Sequence, residues 1–113
     1  MQPKNWNYLC GLGAAYYRTG QWEKSNDNLT ESTKLGGGEN VCNYLFLAMA
    51  YWQSGNKTEA KTWYNKAIEW IEANKDKWLS DYDHMIFEIY VEASELMGIE
   101  INELFTKGVL PKF

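Results

Sequence analysis

Only a few side chains in this sequence could carry out chemistry, and they lie far apart. The two cysteines, Cys10 and Cys42, form no Cys-x-x-Cys pair, so their spacing predicts neither a zinc site nor a disulfide framework. The single histidine closes the run Asp81-x-Asp83-His84, which could suggest a set of metal ligands. Carboxylates at the start of a helix explain that run more simply, because they favour the positive end of the helix dipole. We therefore predict no metal site.

Two glycine-rich stretches do not match phosphate-binding loops. Gly36-Gly37-Gly38 is neither preceded by a strand pattern nor followed by a Lys-Ser or Lys-Thr pair, and Gly11-Leu12-Gly13 lies inside a helical pattern. With one histidine and no nucleophile elbow, no acyl-transfer constellation can be assembled. We predict that the chain is not an enzyme and that it needs no cofactor.

The composition predicts a single globular domain that binds neither nucleic acid nor membranes. The 113 residues suffice for one hydrophobic core, and 45% of them are hydrophobic and 23% charged. A net charge of −4 without a Lys/Arg cluster removes the electrostatic basis of nucleic-acid binding. The most apolar run, residues 41–52, is too short to cross a bilayer. No secretory pattern begins the sequence, so we expect a cytoplasmic setting.

An internal repeat organises the sequence. When Gly20 is aligned with Gly55, 35 residues later, Leu12–Tyr17 falls on Leu47–Trp52, and the residues that follow each glycine also correspond. Apolar residues recur at three- and four-residue steps on both sides of each glycine. Each copy therefore predicts two antiparallel helices joined by a Gly-polar turn.

Small residues hold equivalent places in the two copies. Gly13 corresponds to Ala48, and we expect these minimal side chains to let a neighbouring helix approach closely. The second helix of the first copy, residues 22–34, contains many mediocre helix formers, so we expect stability to be lowest there. We expect the glycines at 36–38 to end that helix.

The pattern resembles the tetratricopeptide repeat. In the second copy the signature is carried by Leu47-Ala48-x-x-Tyr51, Gly55-Asn56, Glu59-Ala60, Tyr64 and Lys66-Ala67-Ile68. The first copy matches through Leu12-Gly13-x-x-Tyr16 and residues 20–24, but it has Ser25 and Ser32 where the family usually has alanine. The chain further resembles a bacterial subclass with two repeats plus a capping helix, through Leu35-Gly36-Gly37-Gly38, Phe46-Leu47-Ala48-Met49-Ala50 and Trp63-Tyr64-Asn65-Lys66-Ala67. Arrays of that subclass commonly sit beside other modules in large proteins.

The fold that this resemblance implies is all-α: a right-handed stack of antiparallel helix hairpins, with two repeats plus a C-terminal capping helix. Within one domain, the predicted segments are a first repeat with its Gly-rich linker at 6–39, a second repeat at 41–74, a capping helix at 80–97 and a short C-terminal extension at 98–113. Ser80-Asp81 is the expected N-cap of the capping helix.

The resemblance also implies a concave surface, formed by the first helix of each repeat, in which a peptide lies. Carried over onto this sequence, the lining of that groove is Asn7, Cys10, Ala14, Tyr17 and Arg18 from the first repeat, with Cys42, Leu45, Phe46, Met49, Trp52 and Gln53 from the second. Chaperone-binding members hold a C-terminal carboxylate with Lys, Asn and Arg on these helices. The matching places here hold Cys10, Ala14 and Phe46, so we do not expect that carboxylate clamp.

Several of these residues also have a purely structural interpretation. Tyr16 and Tyr51 are expected to pack in the core, whereas Tyr17 and Trp52, one position further round, are expected to reach the groove. An aromatic stripe at helical spacing is nevertheless more commonly core than binding site. For Arg18 the alternative is a solvated charge. The two cysteines are expected to be small thiols packed in the groove, and a redox pair is the alternative.

The function predicted from the sequence is a protein–protein interaction module that binds a protein or peptide in an apolar, aromatic groove. The alternative is a self-assembling element, or a structural or regulatory element of a larger multidomain protein. A stack of few repeats leaves apolar end surfaces, which keeps a homo-oligomer open as an outcome.

Overall fold

The computed structural model describes residues 6–37, 41–74 and 84–99. These residues form five α-helices: α1 (Trp6–Arg18), α2 (Trp22–Ser32), α3 (Val41–Gln53), α4 (Lys57–Ala73) and α5 (His84–Met97). A π-helical turn, Thr33–Gly37, extends α2. The described ranges contain helices and turns but no strand, which confirms the all-helical, repeat-like prediction. The predicted start of the capping helix at 80–83 and the extension from residue 100 onwards lie outside the described residues.

Two helix hairpins form because the same turn ends α1 and α3. Gly20 and Gly55 have φ angles of +79° and +93°, a left-handed conformation that favours glycine. At the second turn, Gly55 N–H donates to the Trp52 carbonyl at 3.1 Å and Asn56 N–H donates to the Tyr51 carbonyl at 2.9 Å. The first turn repeats this pattern, which satisfies carbonyls that the helix end would leave unpaired.

In the first hairpin, α1 and α2 approach closely at Gly13. An added Cβ at Gly13 would lie 2.5 Å from Leu29 Cγ, and the Ser25 hydroxyl donates a 2.8 Å hydrogen bond to the Gly13 carbonyl. In the second hairpin, Ala48 and Ala60 are fully buried. The Gly13 contacts show that a minimal side chain lets α1 and α2 approach closely.

The two hairpins pack together chiefly through α2 and α3. Buried at that boundary, Asn43 Nδ2 donates to Ser32 Oγ at 2.9 Å. The α3 helix is the central element, because residues 45–50 are all buried. A helix that is apolar on all sides is stable only when other helices surround it, and α2, α4 and α5 pack around α3.

The fifth helix ends as α1 and α3 do. Gly98 has a φ angle of +69°, and Ile99 N–H donates to the Ser94 carbonyl at 2.8 Å. A buried 2.8 Å hydrogen bond between Ser94 Oγ and the Tyr64 hydroxyl fixes α5 to α4, and the rings of Tyr64 and Tyr90 stack with centroids 6.3 Å apart. In the part of the chain that the structure describes, no helix is both long enough and apolar enough to cross a membrane.

Candidate functional site

The predicted groove residues differ widely in their accessibility. Tyr17, Leu45, Phe46 and Met49 are buried; Cys10, Ala14, Cys42 and Trp52 are half-buried; Arg18 and Gln53 are exposed. Asn7 belongs to α1, but its side chain lies outside the described residues. The surface that a partner could touch on this side of the molecule therefore depends on the half-buried and exposed members of the set.

Tyr17 is more deeply placed than its neighbour. Tyr17 was predicted to line the groove, but it is only 6% exposed. Tyr16 was predicted to lie in the core, but it is half-buried. The Tyr17 ring lies 5.2 Å from the Trp22 ring and 5.7 Å from the Phe46 ring, centroid to centroid. The core at this end of α1 is thus built from three aromatic rings, which explains why Tyr17 turns inward.

Arg18 contacts the aromatic rings of Tyr17 and Phe46 and the carboxylate of Glu92. Its guanidinium carbon lies 5.4 Å from the centroid of Phe46 and 5.7 Å from that of Tyr17. Both guanidinium nitrogens Nη1 and Nη2 donate to the Glu92 carboxylate, with Nη2 to Oε1 at 2.8 Å. A two-point ion pair of this kind fixes the orientation of the guanidinium as well as pairing its charge.

The Arg18–Glu92 pair joins α1 to α5 across the Phe46 side of α3. Glu92 raises the pKa of the Arg18 guanidinium, so that side chain stays charged under all ordinary conditions. Glu92 is absent from the groove predicted from the sequence. The available signal was the polar stripe Glu88, Glu92 and Glu95 on α5, but a stripe of this kind usually indicates only the solvated face of a helix.

Gln53 and Tyr17 form a second polar contact at the same place. The Gln53 side chain hydrogen-bonds to the Tyr17 hydroxyl, which lowers the Tyr17 pKa, and Arg18 also lowers it. Burial is the larger effect, however, and it leaves the pKa of Tyr17 raised overall. Tyr17 is therefore a neutral hydroxyl near pH 7, and it presents a hydrogen-bonding group at the end of an aromatic surface.

Trp52 flanks this cluster on α3. It is half-buried, and the Lys57 ammonium lies 4.8 Å from the centroid of its ring, a cation–π distance. Trp52 thus offers a half-buried ring, and Gln53 an exposed amide, on the same helix as Phe46.

The two cysteines are free thiols. Cys10 and Cys42 are each half-buried and form no disulfide. Burial raises the pKa of the Cys10 thiol, which disfavours the reactive thiolate. No cluster of three or more His, Cys, Asp or Glu side chains occurs among the described residues, and the predicted Asp81–Asp83 run lies outside them. The side chains gathered around Arg18 are aromatic, polar and charged.

Comparison with known proteins agrees with the helical-repeat fold. Residues 43–74, which hold α3 and α4, match the family model described as Tetratricopeptide repeat. No curated protein and no solved structure shows a significant match to the chain.

Proposed function

We propose, from the premise that this chain is a repeat protein of the tetratricopeptide type, that the side of the molecule carrying Arg18, Trp52 and Gln53 binds a segment of another protein. Repeats of this family are typically non-catalytic protein–protein interaction modules, so binding is the general function and the proposal concerns its place and mode. We also propose that the chain is not an enzyme and that it acts in the cytoplasm.

The observation that supports this binding surface most directly is the Arg18 environment. A guanidinium held between two aromatic rings and a carboxylate loses little conformational freedom when it binds a further group. Arg18 is 52% exposed even while paired with Glu92. Arginine and tryptophan are also the side chains most enriched among residues that dominate binding energy.

A library of displayed random peptides, screened against the full chain, would test the proposal. Hits would then be titrated against a double variant, Trp52→Ala with Gln53→Ala. Because anchor residues of this kind carry more than about 1 kcal/mol each, we expect affinity to fall at least roughly tenfold. The matched control is Lys61→Ala with Thr62→Ala, two exposed positions on α4 that should leave the affinity unchanged.

Equal affinity for both double variants would contradict the assignment of the surface. Far-ultraviolet circular dichroism and thermal unfolding would establish that both variants are folded. If no peptide binds the wild-type chain, the peptide-binding mode itself is wrong.

Self-association is a second candidate, and a specific observation supports it. Tyr8 on α1 is 54% exposed and Leu35 in the π-helical turn is 42% exposed, and these two elements contact each other. Large apolar side chains at the outer end of a repeat stack can pack against another stack. Sedimentation velocity from micromolar to millimolar concentrations would show a dimer that Leu35→Lys abolishes; a monomer at every concentration would rule it out.

A further inference from the structure

The part of α3 that should form the floor of a concave groove is inaccessible. Leu45 and Met49 have no exposed surface, and Phe46 is 6% exposed. Met49 lies four positions after Leu45 and three after Phe46, so the three side chains share one broad face of α3. In a stack of two open hairpins that face would meet solvent or a ligand, and here another part of the chain covers it.

The covering element is α5. Arg18 extends from α1 over the Phe46 ring to Glu92 of α5, so α5 lies on the Phe46 side of α3. Four buried residues of α5 belong to the same apolar core as Leu45, Phe46 and Met49; they are Ile89, Tyr90, Ala93 and Met97.

The docking of α5 also differs from that of the helix that begins the second hairpin. The α3 helix packs mainly on α2, the second helix of the preceding hairpin, and makes few contacts with α1. The α5 helix packs mainly on α3, the first helix of the preceding hairpin, and touches α4 chiefly through Tyr64. Although α5 ends with the same glycine turn as α1 and α3, it is displaced toward the side on which a ligand would lie.

We infer that α5 is the resident ligand of this binding surface and that the external partner is an amphipathic helix that replaces it. This inference rests on the proposed function and specifies its partner. The contacts of α5 define the chemistry required: apolar residues at the spacing of Ile89, Tyr90, Ala93 and Met97, with a carboxylate at the position of Glu92. Arg18 binds that carboxylate while its guanidinium stays on the Phe46 ring.

Replacement of α5 by an external helix would preserve the interactions made by Arg18 and the covered face of α3. When α5 leaves, Leu45, Phe46 and Met49 would become exposed, and the apolar face of the incoming helix covers them again. Arg18 exchanges one carboxylate for another. The released Glu92 is already 36% exposed in its pair, so its return to water requires little further solvation.

A peptide with the sequence of α5 itself is the probe that tests this inference. A fluorescently labelled peptide of residues 84–97 would be titrated with the full chain in three forms: wild type, Glu92→Ala, and Glu92→Ala combined with Arg18→Ala. We expect saturable binding to the Glu92→Ala chain that is two- to fivefold tighter than to wild type, on the order of one partly exposed ion pair. The gain should disappear in the double variant, which lacks the guanidinium.

Two matched controls separate this outcome from general loosening of the fold. Glu88→Ala removes an exposed acid one turn earlier on α5 and should not increase peptide binding. On the Glu92→Ala chain, a peptide carrying Gln at position 92 should bind two- to fivefold more weakly than the wild-type peptide, because it cannot pair with Arg18, and the two peptides should bind the double variant equally. Circular dichroism would verify that each chain retains its helices.

The inference is overturned if the peptide binds none of the chains, or if the Gln-containing peptide binds the Glu92→Ala chain as tightly as the wild-type peptide does. Either result would leave the proposed function standing if library peptides bind through Trp52 and Gln53. Failure of every peptide, from the library and from α5, would instead remove the proposed function.

Discussion

At the scale of single residues, the first hairpin depends on the missing side chain of Gly13. The nearest atoms to an added Cβ there are Leu29 Cγ and Cδ2, at 2.5 and 2.7 Å, and Leu29 is fully buried in the core. We expect Gly13→Ala to lower the free energy of unfolding by about 1–3 kcal/mol, because overpacking outweighs the better helix propensity of alanine. Urea unfolding followed by circular dichroism would measure the change.

Gly11, two residues earlier on α1, provides the matched control. It is exposed, and a Cβ there would meet no atom of the described chain within 4 Å. Gly11→Ala should therefore raise the free energy of unfolding, by up to about 1 kcal/mol. If Gly13→Ala stabilised the chain as much as Gly11→Ala, the close approach of α1 and α2 would be wrong.

Tyr17 predicts a dependence of stability on alkaline pH. Its pKa is raised above the ordinary value of about 10, chiefly by burial, so the folded chain holds the phenolic proton more tightly than the unfolded chain does. That contribution is fully present below the unfolded pKa and is lost as pH rises through the folded one.

We therefore expect the free energy of unfolding to fall less steeply above pH 10 in Tyr17→Phe than in wild type. At neutral pH the variant should be less stable by about 1 kcal/mol, since the hydrogen bond with Gln53 is lost. Tyr8→Phe, at an exposed tyrosine, is the control. If the free energy of unfolding fell equally steeply with pH in wild type and Tyr17→Phe, the raised pKa of Tyr17 would be refuted.

Single-residue features were predictable from the sequence to different degrees. The role of Gly13 followed from its correspondence with Ala48, since a repeat reveals positions where small size recurs. The Arg18–Glu92 pair could not be predicted, because the partners are 74 residues apart and lie on helices of different pattern. The inward position of Tyr17 depends on the rings of Trp22 and Phe46, which only the packed structure brings together.

At the scale of elements, the two hairpins differ in how their second helices begin. Asn56, before α4, accepts a 3.2 Å hydrogen bond from the Glu59 N–H, whereas Gln21, before α2, makes no such capping bond. The backbone angles of the two caps are nearly the same, with φ −96° and ψ 73° at Gln21 and φ −94° and ψ 79° at Asn56. An asparagine at position 21 could therefore form the missing bond.

We expect Gln21→Asn to stabilise the chain by roughly 0.5–1 kcal/mol and Asn56→Ala to destabilise it by about 1 kcal/mol. Gln21 donates a hydrogen bond to the exposed Thr19 hydroxyl, whose loss reduces the gain only slightly. Denaturant midpoints would measure both effects. A destabilised Gln21→Asn variant would show that the two caps are not equivalent.

The positions of the helices were largely predictable from the sequence, whereas the residues at which they end were not. The period of 35 residues placed both glycine turns, which local backbone chemistry determines. The second helix, predicted over 22–34, ends as an α-helix at Ser32 and continues as a π-helical turn through Gly37. The sequence carries no signal for that change of helical geometry, because it depends on how the turn packs against α1.

At the scale of the whole molecule, polar groups are concentrated inside the first hairpin. The α2 helix buries Ser25, Asn26 and Ser32, and Asn26 Oδ1 has no hydrogen-bond partner in the described part of the chain. The positions in α4 that correspond to Ser25 and Ser32 are Ala60 and Ala67, both fully buried. Because buried polar groups contribute less stability than buried apolar ones, we expect the first hairpin to open at lower free energy.

Hydrogen exchange measured by mass spectrometry would show this difference. Backbone amides of α1 and α2 should exchange faster than those of α3 and α4, as neighbouring repeats can open separately. The sequence predicted this gradient from the composition of residues 22–34. Equal protection across both hairpins would indicate one cooperative unit and contradict it.

The position of α5 has a consequence for concentration. Nine residues separate Asn74, the C-cap of α4, from His84, the first residue of α5. The α5 helix therefore meets α3 as part of the same chain. Short covalent links of this kind give effective concentrations on the order of millimolar. A free helix at micromolar concentration would then bind in proportion to the small population of molecules from which α5 has departed. A partner that is tethered nearby, or displayed in several copies, would have the advantage over one that diffuses alone.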